Sequence, residues 1–147
     1  MSSAERLPLE TTLVVRDTCL CLHLQRAARA VARRFDDVLR PHGLTNGQFS
    51  LLMSLNRPEP ATIGSVAALL AMDRTTLTAA LKPLARRGLV KITVDPTDRR
   101  SRRLILTTAG HAVLIAAVPA WRQEHAAVDR DLADDPDRLR ADLRALA

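Results

Sequence analysis

A mainly α-helical chain carrying one small β-hairpin is the fold class this sequence predicts, on three observations. The apolar fraction is 47%, mostly Ala, Leu and Val, with only Phe35, Phe49 and Trp121 as aromatics, a balance that suits helix packing better than a sandwich. Apolar residues recur at helical spacing on both sides of the middle of the chain. Between them, two short runs with strand character, Val90-Lys91-Ile92-Thr93-Val94 and Leu104-Ile105-Leu106, flank a Pro96-Thr97-Asp98 turn and four arginines, Arg99, Arg100, Arg102 and Arg103. The tip of that hairpin bristles with guanidinium groups. At 147 residues the chain makes one domain, or a small domain with helical extensions.

The elements follow in order. A single long helix is expected from about Thr12 to Leu39, with Leu20, Leu24, Ala27, Val31, Phe35 and Val38 on one side and Arg26, Arg29, Arg33 and Arg34 interleaved. Pro41 and Gly43 stop it. Thr45 has the character of an N-cap for a second helix with Phe49, Leu52 and Leu55 inward, ended by Pro58 and Pro60. Thr62 caps a short third helix whose Ile63, Val66, Ala67 and Leu70 face a core. Asp73 caps the fourth, with Leu77, Leu81 and Leu84 inward and Arg74, Thr75, Thr76, Thr78 and Lys82 outward. Pro83 lies in its body and crowds the Ala79 carbonyl, so a kink past the first turns is expected. Gly88 after Arg86-Arg87 marks the helix end. Thr107 or Thr108 opens a long helix to about Arg130, and Pro136 opens the last, Asp137 to Leu146.

Two short helices followed by a basic hairpin form a winged helix-turn-helix, an arrangement that mostly binds DNA. The charge supports this. Residues 74–103 hold nine basic side chains against Asp95 and Asp98, a balance of +7 where the whole chain is +6, so the positive charge is concentrated on one segment. The terminal helices are too long and apolar for one small winged helix to cover: Leu114, Ile115, Val118, Trp121 and Val128 call for a partner surface. A symmetric homodimer supplies it, and a two-fold protein reads a palindromic double-stranded DNA operator. The organisation expected is one domain, residues 1–147, with dimerisation helices at about 12–41 and 107–147 and the winged helix-turn-helix lobe at about 45–106.

Other classes fit less well. No apolar run approaches the ~18 residues of a membrane span. The opening MSSAERLPLE is acidic and polar where a secretory leader is basic and then apolar. A cytoplasmic protein with no membrane partner is expected. Cys19 and Cys21 make no disulfide framework, and His23, His42, His111 and His125 have no metal spacing, so neither metal nor cofactor is expected. With five glycines, no phosphate-cradling loop and no triad pattern, an enzyme is not indicated. A winged helix used for protein contacts needs no four-arginine tip. The alternative that stays open is a non-specific basic architectural DNA-binding protein; specific binding would exceed non-specific by ~10³ or more.

The segments RPHGLTNGQFSLL (Arg40 to Leu52), ATIGSVAALLAMDRTTLTAALKPLARRGLV (Ala61 to Val90) and DPTDRRSRRLILTTAG (Asp95 to Gly110) together resemble the MarR family of bacterial transcription regulators, over nearly the whole chain from Cys19 to Leu146. The wing pattern is the most discriminating: Asp, Arg two residues later, an apolar strand, then Leu-Thr-x-x-Gly. The resemblance implies a triangular homodimer, by family habit a repressor near its own gene, with the fourth helix in the major groove and the wing in the flanking minor groove. Arg100 would enter that minor groove, braced by Asp98, with Arg99 and Arg102 beside it. At the head of the recognition helix, the side chains of Thr75, Thr76 and Thr78 suit phosphate oxygens and thymine methyls, and Arg74 suits guanine O6 and N7. Thr78 reads equally as a solvent-facing hydroxyl. Pro83 departs from the family pattern and bears on the docking angle and on Lys82.

Such proteins usually respond to a small phenolic or aromatic molecule held between the dimer helices and the DNA-binding lobe, and some respond to oxidants. Counting back from GLTNGQF, Cys21 falls where the organic-hydroperoxide-sensing branch keeps its reactive cysteine. Gln25, Phe35 and Asn46 replace the tyrosines that activate that thiol, and the chain has no tyrosine. Arg26 or His23 could still favour the thiolate. Residues two apart on a helix point to opposite sides, so Cys19 and Cys21 are not expected to bridge while helical; oxidation would give a sulfenic acid, a mixed disulfide or a bond between subunits. The other reading makes both cysteines small packed hydrophobes. His23 and His125 read as pocket-lining or as ordinary surface and interface histidines.

Overall fold

A computed structural model describes residues 6–147. Met1 to Glu5, the first half of the polar opening stretch, lie outside the described residues. The elements in order are helices α1 (Leu9–Thr18) and α2 (Leu20–Leu39), a 3-10 turn (Arg40–His42), α3 (Asn46–Ser54), strand β1 (Ala61–Thr62), α4 (Ile63–Leu70), α5 (Arg74–Arg86), β2 (Val90–Val94), β3 (Arg102–Leu106), α6 (Thr108–Asp131) and α7 (Pro136–Leu146). The fold is mainly α with a small antiparallel sheet, as expected.

One expectation fails at the start. The long helix from Thr12 to Leu39 is two helices, broken at Cys19, whose backbone is extended (φ −67°, ψ 107°). The residues leading into the break, Thr11, Thr12, Val14, Val15 and Thr18, are β-branched and poor at holding a helix. The Thr18 hydroxyl also donates to the Val14 carbonyl at 2.6 Å, a back-bond that bends helices. Past the break, the Cys19 carbonyl accepts the first hydrogen bond of α2, from the His23 N–H at 3.1 Å.

The other helix starts follow their caps. Thr45 and Gln48 form a reciprocal capping box at the head of α3, and Thr62 and Ser65 form another at the head of α4. Asp73 accepts from the Thr76 N–H at 2.7 Å. Thr107 accepts from the Gly110 N–H at 3.0 Å while donating to the Gly88 carbonyl at 2.6 Å, which ties the start of α6 to the turn that follows α5. Gly88 has φ +71°, the left-handed turn that ends α5 and aims the chain into the wing. α5 continues past Pro83 to Arg86, so the missing N–H does not end it.

The core lies beneath the helix-turn-helix. Leu39, Leu52, Val66, Leu77, Leu81, Leu84 and Leu104, from α2, α3, α4, α5 and β3, are fully buried. Each such side chain contributes about 1.5–3 kcal/mol of transfer free energy. Leu114 belongs to this core at 4% exposure, and Val118 and Trp121 pack against it. This corrects the expectation that all three need a partner. Ile115, 73% exposed, does remain uncovered, and Val128 is half-buried.

The hairpin pairs Val90 with Leu106, Ile92 with Leu104 and Val94 with Arg102. β1 joins the outer edge of β3, giving the order β1-β3-β2. This third strand, unexpected from the sequence, fastens the base of the wing to the first turn of α4. Arg34 links α2 to α6 through Glu124 and Asp131, both at 2.6 Å. α1 and α7 bury none of their residues.

Candidate nucleic-acid interface

α5 sorts its residues by side. Leu77, Leu81 and Leu84 are buried, whereas Arg74, Thr75, Thr76, Thr78 and Lys82 are all exposed, each where its register predicts. Arg74, Thr75, Thr78, Ala79 and Lys82 line a shallow open groove of about 330 Å³ on the outer face. Thr76 donates its hydroxyl to Asp73 Oδ2 at 2.8 Å, and Thr78 donates to the Arg74 carbonyl at 2.8 Å. The Thr76 N–H and then its hydroxyl hold the Asp73 carboxyl below its ordinary range. The Arg74 side chain lies across α4, and a Cβ at Gly64 would stand 3.0 Å from Arg74 Nη2.

The wing is organised by Asp95, which in the sequence stands out only as a charge. It is 8% exposed. Its Oδ1 accepts from the Thr97 N–H at 2.9 Å and the Thr97 hydroxyl at 2.8 Å, and lies 3.4 Å from Arg103 Nη2. The Thr97 N–H and hydroxyl, with Arg103 nearby, lower its pKa. The signal was present: Asp two residues before a threonine across a proline is an Asx-turn pattern. Asp98 braces Arg100 through the main chain, accepting from the Arg100 N–H at 3.0 Å, and not through the guanidinium. Arg102 folds its Nη1 back on the carbonyls of Arg99 and Ser101, at 3.1 and 3.3 Å. Arg99, Arg100 and Arg102 are exposed, while Arg103 is half-buried beside Asp95.

The residues weighed for signalling divide between two clefts. One, of about 320 Å³, lies where α2, α3 and α6 meet and includes Phe35, Asn46, Phe49, Trp121 and His125 in its lining. Trp121 stacks on Phe49 (centroids 6.0 Å) and on His125 (4.7 Å). Asn46 is held by Asp36, which accepts its N–H and its side-chain amide at 2.7 and 2.8 Å and whose pKa these bonds lower. Arg140 Nη2 donates to His125 Nε2 at 3.2 Å. The other cleft, about 600 Å³, is lined along α2 by His23, Arg26, Ala27, Arg29, Ala30 and Arg33. His23 and His125 thus occupy different places.

Cys21 is exposed on α2 and accepts from Gln25 Nε2 at 3.2 Å. Gln25 is therefore the residue that reaches this thiol, while Phe35 and Asn46 line the aromatic cleft. The His23 ring lies 2.8 Å from the Cys19 carbonyl oxygen, bonding the break and not the thiol. Because Cys19 is extended, the helical geometry that kept the two cysteines apart does not apply.

A helix pair with a buried leucine spine, an outward polar recognition face and an arginine-loaded hairpin is a winged helix-turn-helix regulator. A MarR family model matches residues 42–101. The Mycobacterium tuberculosis transcriptional regulator MosR in complex with DNA is 40% identical, with a TM-score of 0.80 over 87% of this chain and 92% of its own. The transcriptional repressor CouR bound to a 23-mer DNA duplex is 30% identical, with a TM-score of 0.74 over 97% of this chain and 96% of its own. Among curated proteins, the transcriptional regulator SarZ of Staphylococcus haemolyticus is 30% identical over 91 residues, 62% of this chain and 62% of that protein. The match thus spans less than two thirds of SarZ. The chain belongs to the MarR family of DNA-binding transcriptional regulators.

Proposed function

We propose that this chain acts as a homodimer that binds a palindromic operator sequence-specifically and represses transcription from it, leaving the DNA when a small aromatic effector binds. Each protomer sets α5 in a major groove through Arg74, Thr75, Thr76, Thr78 and Lys82, and its wing in the flanking minor groove through Arg100, with Arg99 and Arg102 beside it and Asp98 holding the turn. The observation that carries this reading is the pairing of a cationic, outward recognition surface with apolar residues left uncovered on α1, α2, α6 and α7, of which α1 and α7 bury none of their residues. Leu9, Val14, Leu20, Ile115, Leu139 and Leu146 are all exposed in a single protomer. A symmetric partner is the economical cover for so much apolar surface. MosR and CouR have each been seen on DNA, which supports the same mode here.

Effector control rests on the cleft lined by Phe35, Phe49, Trp121 and His125, apolar in its walls and flanked by the Asn46 amide. It joins α3 of the reading lobe to α2 and α6, so an occupant that respaces those helices respaces the two recognition helices. A second reading, release by oxidation, is favoured by the exposure of Cys21 and the break at Cys19. A Cys21 thiolate would attack a hydroperoxide, releasing the alcohol and leaving a sulfenic acid; condensation with a second thiol, Cys19 included, would release water and give a disulfide.

Light scattering on purified protein, followed by fluorescence anisotropy against duplex from upstream of its own gene, tests the core of the proposal. A two-chain mass and binding at least ~10³ tighter than to scrambled duplex are expected. Equal affinity for both duplexes, governed by salt alone, would instead make this a non-specific architectural protein. Adding hydroperoxide to the complex separates the two modes of release. Loss of binding that dithiothreitol restores, and that Cys21→Ser abolishes, supports the thiol; indifference to oxidant leaves the aromatic cleft.

A further inference from the structure

Two of the three threonines on the exposed side of α5 have turned their hydroxyls back onto their own helix. Thr76 donates to its cap, Asp73, and Thr78 to the Arg74 carbonyl. A threonine β-carbon carries one hydroxyl and one methyl, so a hydroxyl bound to the helix leaves the methyl as the branch presented outward. Ala79, next along the same exposed face, adds another methyl. The groove that Arg74, Thr75, Thr78, Ala79 and Lys82 line therefore presents the Thr78 and Ala79 methyls at its middle, beside Thr75, and is cationic at its two ends.

In the major groove every base pair presents donors and acceptors, and the C5-methyl of thymine is the apolar group among them. A methyl group offers no donor to a purine N7 and no acceptor to a cytosine amine. We infer that the middle of α5 selects thymine, packing the Thr78 and Ala79 methyls, with that of Thr76 alongside, on thymine C5-methyl groups, while Arg74 and Lys82 fix position from either end. The inference rests on the proposed seating of α5 in the major groove. It assigns discrimination at the centre of each half-site to shape and apolar contact, and needs no hydroxyl to leave the helix.

Deoxyuridine differs from thymidine only in lacking the C5-methyl and pairs with adenine in the same way. The full-length protein would first be used to select duplexes from a random pool. Each thymidine of the selected half-sites would then be replaced singly by deoxyuridine and Kd measured by anisotropy. At one or two positions per half-site, binding is expected to weaken by about fourfold per buried methyl. Thr78→Ser keeps the hydroxyl bond and removes only the protein's methyl; it should weaken binding to the thymidine duplex and shrink the deoxyuridine penalty at the same position. A selected operator whose Kd is unchanged by every deoxyuridine overturns the inference and leaves sequence-specific binding standing. A pool that yields no preferred sequence overturns both.

Discussion

At the scale of single residues, the proposed reading surface separates side chains assigned to DNA contact from those that hold them. Arg100→Ala should weaken binding broadly across sequences and reduce the salt-dependence slope by about 1, as for loss of one backbone-type contact, in anisotropy titrations at several salt concentrations. Arg74→Ala should instead relax preference at one position per half-site by roughly tenfold. Gly64 belongs to the same account. Its missing Cβ leaves room for the Arg74 guanidinium, so Gly64→Leu should lose discrimination at the position that Arg74→Ala affects, and add nothing in the Arg74→Ala background. The outward set on α5 was legible in the sequence because it follows from where the three leucines fall. Gly64 was not, since it matters through a neighbour ten positions away that only the folded chain brings beside it, whereas the turn that Asp95 makes with Thr97 is local and only its approach to Arg103 needs the hairpin.

At the scale of elements, helix beginnings were written locally and breaks were not. Thr45, Thr62, Asp73 and Thr107 each cap the helix that their position announces, because a cap acts within three residues. Thr45→Ala removes one half of a capping box and should cost about 1 kcal/mol in chemical denaturation. The break at Cys19 escaped notice because the apolar spacing on either side runs on undisturbed, while the cause is a cluster of β-branched residues and one back-bonded threonine. β1 escaped because two residues carry no periodicity; its pairing with Leu104 and Arg103 is set across the fold. The wing depends on α6 in a similar non-local way. A Cβ on Gly110 would drive into the Leu89 carbonyl and the Leu106 side chain, so Gly110→Ala should destabilise by about 1–3 kcal/mol and loosen the hairpin base.

At the scale of the whole molecule, Asp36, Asp73 and Asp95 each carry a pKa lowered by hydrogen bonds to the folded chain. A carboxyl depressed in the folded state binds protons less tightly there than when unfolded. Its stabilisation is therefore present above the unfolded value, about pH 4, and lost as pH falls through the folded value. Thermal melts from neutral to acid pH should show Tm holding steady down to roughly pH 4 and dropping below it, with a shallower drop in Asp95→Asn. Melting temperature should also rise with protein concentration if two chains assemble as proposed; a Tm independent of concentration would count against the dimer. The mainly α outline and the concentration of charge were legible at this scale, since both are sums over the sequence. The aromatic cleft was not, because its walls come from three helices far apart in the chain. That cleft has one further consequence. Trp121 is the single tryptophan of a chain with no tyrosine, and it stands between Phe49 and His125 at the seam of the lobe and the long helices. The molecule therefore carries its own optical gauge: essentially all its ultraviolet emission originates at this seam. A compound entering the cleft should shift or quench that light with no DNA present, so occupancy and release can be timed as separate events in one cuvette.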